Sequence, residues 1–325
     1  MIKLYGTLGP ACNDVNILCK MIESGMTGIR LNLSHGSIFD FSEYLEKLNE
    51  AEQKCGKKME LVIDMEGPEM RIGKLERPIV LAEHELVVLG REIPLERSIV
   101  EQLEEGLVCR LDDGKIELHI QDKVDDGFVC IVKRGGTLLS RKSFTVIGKT
   151  FTRFILTKQD IENIYNARKH GVSSILQPFV HSASDVKKVR DILKNQGCEN
   201  VTVMAKIEDE MGLNNMYEIV EASDRVIFAR GDLGNNIDMW KLPKMQKRLA
   251  AVCNELGKPF IVATQLLASM EKNNTPTRAE MNDIFNCAAD GADGLMLTGE
   301  TAIGDYPAEA IYFLKMASFE AEIID

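Results

Sequence analysis

The chain has 325 residues, 45% hydrophobic and 27% charged, which supports a large packed core and lies outside the composition of disordered chains. Its formal net charge of −11 works against a nucleic-acid groove, because phosphates would be repelled over most of the surface, so no nucleic-acid partner is expected. Its eight cysteines form no Cys-x-x-Cys pair, which excludes zinc-ribbon and thioredoxin readings and suits reduced thiols.

The first residues, 2–7, already read as a strand, with no signal peptide before them. No run of 18 apolar residues is present to span a membrane, and cytoplasmic residence without a membrane partner is the expectation. Further apolar runs at 28–33, 60–65, 173–179, 201–207, 225–229, 259–264 and 293–298 read as strands. They are rich in Val, Ile and Leu, as strands buried on both faces are. Helical patterns follow near 14–24, 39–55, 158–170, 183–196, 213–222, 242–257, 279–289 and 307–323. Asp14, Ser182 and Thr277 stand where N-caps belong, and Gly25, Gly56, Gly171, Gly197 and Gly257 where helices stop. Eight strands, each answered by a helix, predict an α/β fold, the (β/α)8 TIM barrel.

One connection breaks this rhythm. Between residues 71 and 150 the helical period disappears. Short apolar runs there are punctuated by Asp112-Asp-Gly114, Asp125-Asp-Gly127 and Arg134-Gly-Gly136, which are hairpin signals. A small all-β domain, 72–150, is therefore expected after strand three, with the barrel formed by 1–71 and 151–325. At that rim it is placed to act as a lid.

Barrel chemistry sits where strands end, and the unusual polar clusters fall at those points. Lys206 and Glu208 are two apart and share a face of strand five. Asp232 follows the next apolar run, and neighbouring parallel strands lie about 4.8 Å apart, so both carboxylates can reach one divalent cation. Arg30, Asn32 and Ser34 alternate onto one face, and Asp64 ends strand three. Two neutral oxygens and a carboxylate suit a monovalent cation, or else a hydrogen-bond network holding no ion. Arg30 could grip a phosphoryl group or pair with Asp64. Gly231 and its neighbouring amides could take a carboxylate or form an ordinary turn. His35 reads as a base or as a hydrogen-bonded loop residue, and Thr264 as an ordinary strand threonine or a site residue.

In order along the chain, Thr7-Leu-Gly-Pro-Ala11, Arg30-Leu-Asn-Leu-Ser-His-Gly36, Asp64-Met-Glu-Gly-Pro-Glu-Met-Arg71, Lys206-Ile-Glu208, Ala229-Arg-Gly-Asp-Leu-Gly234, Ala263-Thr-Gln265 and Leu297-Thr-Gly-Glu300 resemble the pyruvate kinase family. The resemblance implies phosphoryl transfer from phosphoenolpyruvate to ADP, giving pyruvate and ATP in glycolysis. It implies Mg2+ (or Mn2+) held by Glu208 and Asp232, with Lys206 stabilising charge on the phosphoryl group and enolate and Arg30 gripping the phosphate. Ala229, Gly231, Asp232 and Thr264 would take the substrate carboxylate. Asn32, Ser34, Asp64 and the Met65 carbonyl would hold K+, with Glu69 matching the K+-requiring pattern. His35, Arg71 and Lys142 would meet the nucleotide, and Thr264, Thr298 and Glu300 match positions linked to protonating the enolate.

Some features depart from the family. The usual C-terminal effector domain has no counterpart in these 325 residues, so a short form is expected. Met65-Glu66 stands where Thr-Lys is common, and Pro178 where Ser is usual. Two other readings therefore stay open: a Mg2+-dependent enolate-forming lyase or aldolase that uses no nucleotide, and a non-catalytic paralogue. A homo-oligomer is expected, a dimer through the barrel in preference to a tetramer.

Overall fold

Eight short parallel strands close on themselves: β1 (Lys3–Thr7), β2 (Gly28–Asn32), β3 (Glu60–Asp64), β4 (Ser174–Gln177), β5 (Thr202–Ile207), β6 (Arg225–Ala229), β7 (Phe260–Ala263) and β8 (Gly294–Met296). Each pairs with its neighbours in sequence, and β8 returns to β1 through Lys3↔Gly294 and Tyr5↔Met296. The computed structural model describes residues 2–34, 36–149, 151 and 155–323. The predicted barrel is the observed one. Alternation puts Tyr5, Val62, Leu176, Met204, Ile227 and Ile261 in the barrel interior, while the residues between them pack outward against the helices.

The helical ring is α1 (Val15–Ser24), α2 (Ser42–Cys55), α3 (Lys158–Ala167), α4 (Ala183–Asn195), α5 (Met216–Ala222), α6 (Leu242–Leu256), α7 (Arg278–Ala289) and α8 (Pro307–Glu322). Asp14 accepts from the Asn16 and Ile17 amides at the start of α1, and Ser182 and Thr277 form capping boxes with Asp185 and Glu280. The predicted helix over 213–222 is instead two pieces, Glu210–Asn214 and α5. The break falls at Asn215, whose Nδ2 donates to the carbonyl of His181 at 2.7 Å. A further short helix, Arg230–Asn236, follows β6 directly.

Between β3 and α3 the chain builds two antiparallel sheets. Five strands run in the order Phe144–Val146, Val108–Leu111, Ile116–Val124, Gly127–Arg134, Leu86–Leu89, and a two-stranded ribbon joins Ile79–Leu81 to Gly136–Leu138. They enclose their own core, with Leu89, Leu111, Leu118, Phe128 and Val132 buried together. The hairpin at Asp112-Asp-Gly114 is held by three successive left-handed residues, with φ of 49°, 55° and 78°. One helical turn, Arg97–Val100, qualifies the expectation of an all-β insertion.

Candidate active site

The strand ends deliver the predicted polar residues to one rim. Asp64, the last residue of β3, is buried. Its Oδ2 accepts from Arg30 Nε at 2.8 Å and lies 2.7 Å from Arg30 Nη2, and its Oδ1 accepts from Lys206 Nζ at 3.3 Å. Arg30 stands opposite Thr7 in the β1–β2 register and donates to the Thr7 hydroxyl at 3.3 Å. The pairing of Arg30 with Asp64 is therefore present.

Lys206 Nζ lies 2.8 Å from Glu208 Oε1, yet the angle makes no proper hydrogen bond, and this buried oxygen stays without one. Glu208 Oε2 accepts from the Phe179 amide at 2.9 Å. Phe179 reaches that position with φ of 49°, a left-handed conformation that a bulky residue rarely adopts. Asp232 is close enough to Glu208 for the two carboxyl groups to act on each other electrostatically.

The electrostatics follow from this crowding. Arg30 and Lys206 set two positive charges against three carboxyl groups, Asp64, Glu208 and Asp232. Burial pushes the Asp64 carboxyl up, but Lys206 and Arg30 more than offset it and hold it below the ordinary range. Burial pushes the Lys206 ammonium down, and Asp64, Glu208 and Asp232 reverse that, so Lys206 stays charged. Burial and the neighbouring Asp232 drive Glu208 well above the usual carboxylate range despite Lys206.

Glu208 Oε1, buried and met only by the Lys206 ammonium, together with the neighbouring Asp232 carboxyl, fits a hard divalent cation. Among the described residues no cluster of three or more His, Cys, Asp or Glu side chains could hold a metal, so a zinc-type protein cage is not what the rim offers. At the proposed K+ set, Asn32 Oδ1 accepts from the Ser34 amide at 3.2 Å, while the Asp64 carboxylate is already shared by Arg30 and Lys206.

The helix Arg230–Asn236 presents Gly231 and Asp232 to the rim. The Gly231 amide donates to Thr264 Oγ1 at 2.8 Å, so the predicted carboxylate-binding amide is engaged by the predicted threonine. Thr264 itself has φ of 72°, strained for a β-branched residue. Ala229 is the N-cap of that helix. Glu300 is buried, and both its oxygens are used: Oε1 accepts from the Leu267 amide at 3.1 Å and Oε2 from the Thr298 amide at 2.7 Å. That geometry braces two loops.

Of the nucleotide residues, His35 lies outside the described residues. Arg71 pairs with Glu69 at 2.6 Å. Lys142 Nζ sits 2.7 Å from Asp112 within the insertion. A cleft of about 490 Å3 separates the insertion from the rim and is lined by Glu69, Phe144, Phe179, His181, Asp232 and Asn236 among others.

Four contributors were not foreseen from the sequence. Phe179 supplies an amide to Glu208. Arg230 donates to the carbonyls of Thr264 and Gln265 at 2.8 and 2.9 Å and pairs with Asp283 at 2.6 Å. Asn236 Nδ2 bridges the carbonyls of Glu208 and Asp232, each at 2.9 Å. Buried Asp160 accepts from the Glu66 and Gly67 amides at 2.8 and 3.0 Å and so fixes the loop after β3. The arginine and asparagine lie inside or beside a quoted motif, but nothing in the spacing shows where they reach.

The family model described as the pyruvate kinase barrel domain matches residues 1–311. Pyruvate kinase of Geobacillus stearothermophilus is 36% identical over 332 residues, covering 98% of this chain and 57% of that protein. Pyruvate kinase of Aeropyrum pernix is 36% identical over 324 residues, covering 98% and 70%. That of Staphylococcus saprophyticus is 35% identical over 332 residues, covering 98% and 57%. The chain thus spans 57% of the length of two of these curated relatives and 70% of the third.

Proposed function

This chain belongs to the pyruvate kinase family, and on that premise we propose that its rim site moves the phosphoryl group of phosphoenolpyruvate to ADP, giving pyruvate and ATP. The observation that supports this most is the Lys206 ammonium lying between Asp64 and Glu208, with the Asp232 carboxyl acting on Glu208.

In this reading a terminal phosphate oxygen of ADP attacks phosphorus as the P–O bond to the enol breaks, and the electron pair stays on the enol oxygen. Lys206, held charged by its carboxylates, faces the charge that develops on phosphoryl and enolate oxygens. Arg30, fixed to Asp64 through Nε and Nη2, grips the phosphoryl group with its remaining donors. Glu208 and Asp232 would hold Mg2+ or Mn2+, which would supply charge to neutralise the phosphoryl and carboxylate groups of the substrate. The substrate carboxylate sits at Ala229, Gly231 and Asp232 with Thr264. A proton must then reach the enolate carbon. The Thr264 hydroxyl accepts from Gly231, which leaves its own proton to give. Glu300 acts on Thr298 by orientation, its Oε2 accepting from the Thr298 amide at 2.7 Å and from its hydroxyl at 3.4 Å. K+ at Asn32, Ser34, Asp64 and the Met65 carbonyl belongs to the same proposal.

Residues 1–71 and 151–325 form the catalytic barrel in this account, and 72–150 the lid. The setting is glycolysis in the cytoplasm, in a homo-oligomer, preferably a dimer. Among the described residues no helix is long and apolar enough to cross a membrane. The test is pyruvate release in the presence of phosphoenolpyruvate, Mg2+ and K+, with and without ADP. ADP-dependent release is expected, and release that ignores ADP contradicts the reading. A nucleotide-free, enolate-forming reading has one observation in its favour: Arg71 and Lys142 are engaged by Glu69 and Asp112. Calorimetry with ADP separates the two, because only the first requires binding.

A further inference from the structure

Arg110 lies in the inserted strand Val108–Leu111, and the chemistry above does not use it. Its Nη1 donates to the carbonyl of Asn235 at 2.9 Å and lies 3.4 Å from that of Gly234 and 3.5 Å from that of Ile237. These carbonyls end the helix Arg230–Asn236, which carries Asp232. Last-turn carbonyls lack partners within their helix and form the negative end of its dipole, so a guanidinium there is well matched. The insertion itself aims the side chain: Glu117 is opposite Arg110 in the strand register, and its Oε2 lies 3.6 Å from Arg110 Nε. Beside it, Gly114 comes so close to the rim that a Cβ there would sit 3.0 Å from Asn235 Oδ1.

The gripped helix end is tied to both acidic residues. Asn236, between the carbonyls that Arg110 reaches, bonds the backbones of Glu208 and Asp232. At the other end Arg230 holds the loop of Thr264. We infer that Arg110 is a positioning residue that couples the seating of the inserted domain to the divalent-cation site, through the helix Arg230–Asn236. The inference rests on the assignment of Glu208 and Asp232 above. The sole tryptophan, Trp240, is 78% exposed and lines a crevice with Arg110, Arg134, Asp238 and Met239, so its emission reports how the insertion sits.

The experiment titrates Mn2+ alone into the wild type, Arg110→Met, Arg110→Lys and Arg97→Met. Bound metal is followed by electron paramagnetic resonance and seating by Trp240 emission. Arg110→Met should bind Mn2+ about tenfold more weakly, the size of one lost charge-assisted contact. It should also lose the Mn2+-induced emission change while its thermal midpoint stays close to the wild type's. Arg110→Lys should fall between the two. Arg97, 91% exposed at its side chain, serves as the control and should match the wild type. Wild-type Mn2+ affinity and emission in Arg110→Met overturn the inference, and if that variant does not fold, the same result in Arg110→Lys does so. A wild type that takes up no Mn2+ overturns the assignment of the carboxylates itself, a result seen before any variant is compared.

Discussion

Glu60 and Glu208 are both largely buried glutamates, the first opening β3 and the second directly following β5, at opposite ends of the cylinder. At the bottom, Glu60 Oε1 accepts from Ser174 Oγ at 2.7 Å and Arg225 Nη1 at 2.6 Å, and Oε2 from Lys3 Nζ at 2.6 Å and Tyr5 OH at 2.9 Å. Burial pushes its carboxyl up, but Lys3, Ser174 and Arg225 more than offset it, so it sits below the ordinary range. At the top, Glu208 has one good donor, the Phe179 amide, a poorly angled ammonium, and a carboxylate for a neighbour, and it is driven upward. The bottom is saturated, as a stabilising network must be. The top is left short of positive charge, as a site awaiting ligands is.

Four substitutions press on that contrast. The largest effect belongs to Lys206→Met, which removes the ammonium facing the developing charge. Turnover should fall at least about a thousandfold with cooperative unfolding intact; activity within tenfold of wild type would leave the top face without its proposed role. Glu60→Gln should cost about 3 kcal/mol in urea unfolding at neutral pH, because it strands Lys3 and Arg225. The sign with pH is fixed. A carboxyl held below its unfolded value of about 4.3 contributes stability above that pH and loses it as pH falls through the folded value. The gap between wild type and variant should therefore narrow below about pH 4, and a constant gap would refute the depressed carboxyl. Glu208→Gln should do the reverse of Glu60→Gln at neutral pH, stabilising the metal-free fold by about 1 kcal/mol by removing a buried like charge beside Asp232. Destabilisation there would mean that Glu208 is already satisfied. A loss of similar size, about 1 kcal/mol, is expected for Ser174→Ala, which removes one of four donors to Glu60. Turnover should not change, and a drop would show that the two ends are not independent.

Much of the top face was legible because it is written locally. The two-residue spacing of Lys206 and Glu208, the alternation of Arg30 with Asn32, and the caps at Asp14 and Thr277 all depend on near neighbours. The bottom network was not, since Lys3, Tyr5, Glu60, Ser174 and Arg225 meet only when the barrel closes. The same holds for Arg110, which reaches a helix more than a hundred residues away. Phe179 gave no signal, because nothing about a phenylalanine announces a left-handed backbone. The insertion was recognised by its turns, but its shortest strands, such as Ile79–Leu81 and Phe144–Val146, are too brief for alternation to register. The break within 213–222 leaves no local sign, because the pull of His181 on Asn215 comes from another loop.

The central claim is that the Glu208–Asp232 pair holds a divalent cation beside Lys206. Anomalous diffraction from crystals grown with Mn2+ tests it most directly. A peak between the two carboxylates, lost in Glu208→Gln, is the predicted result. Full occupancy elsewhere, or no peak at the pair at millimolar Mn2+, would contradict the account.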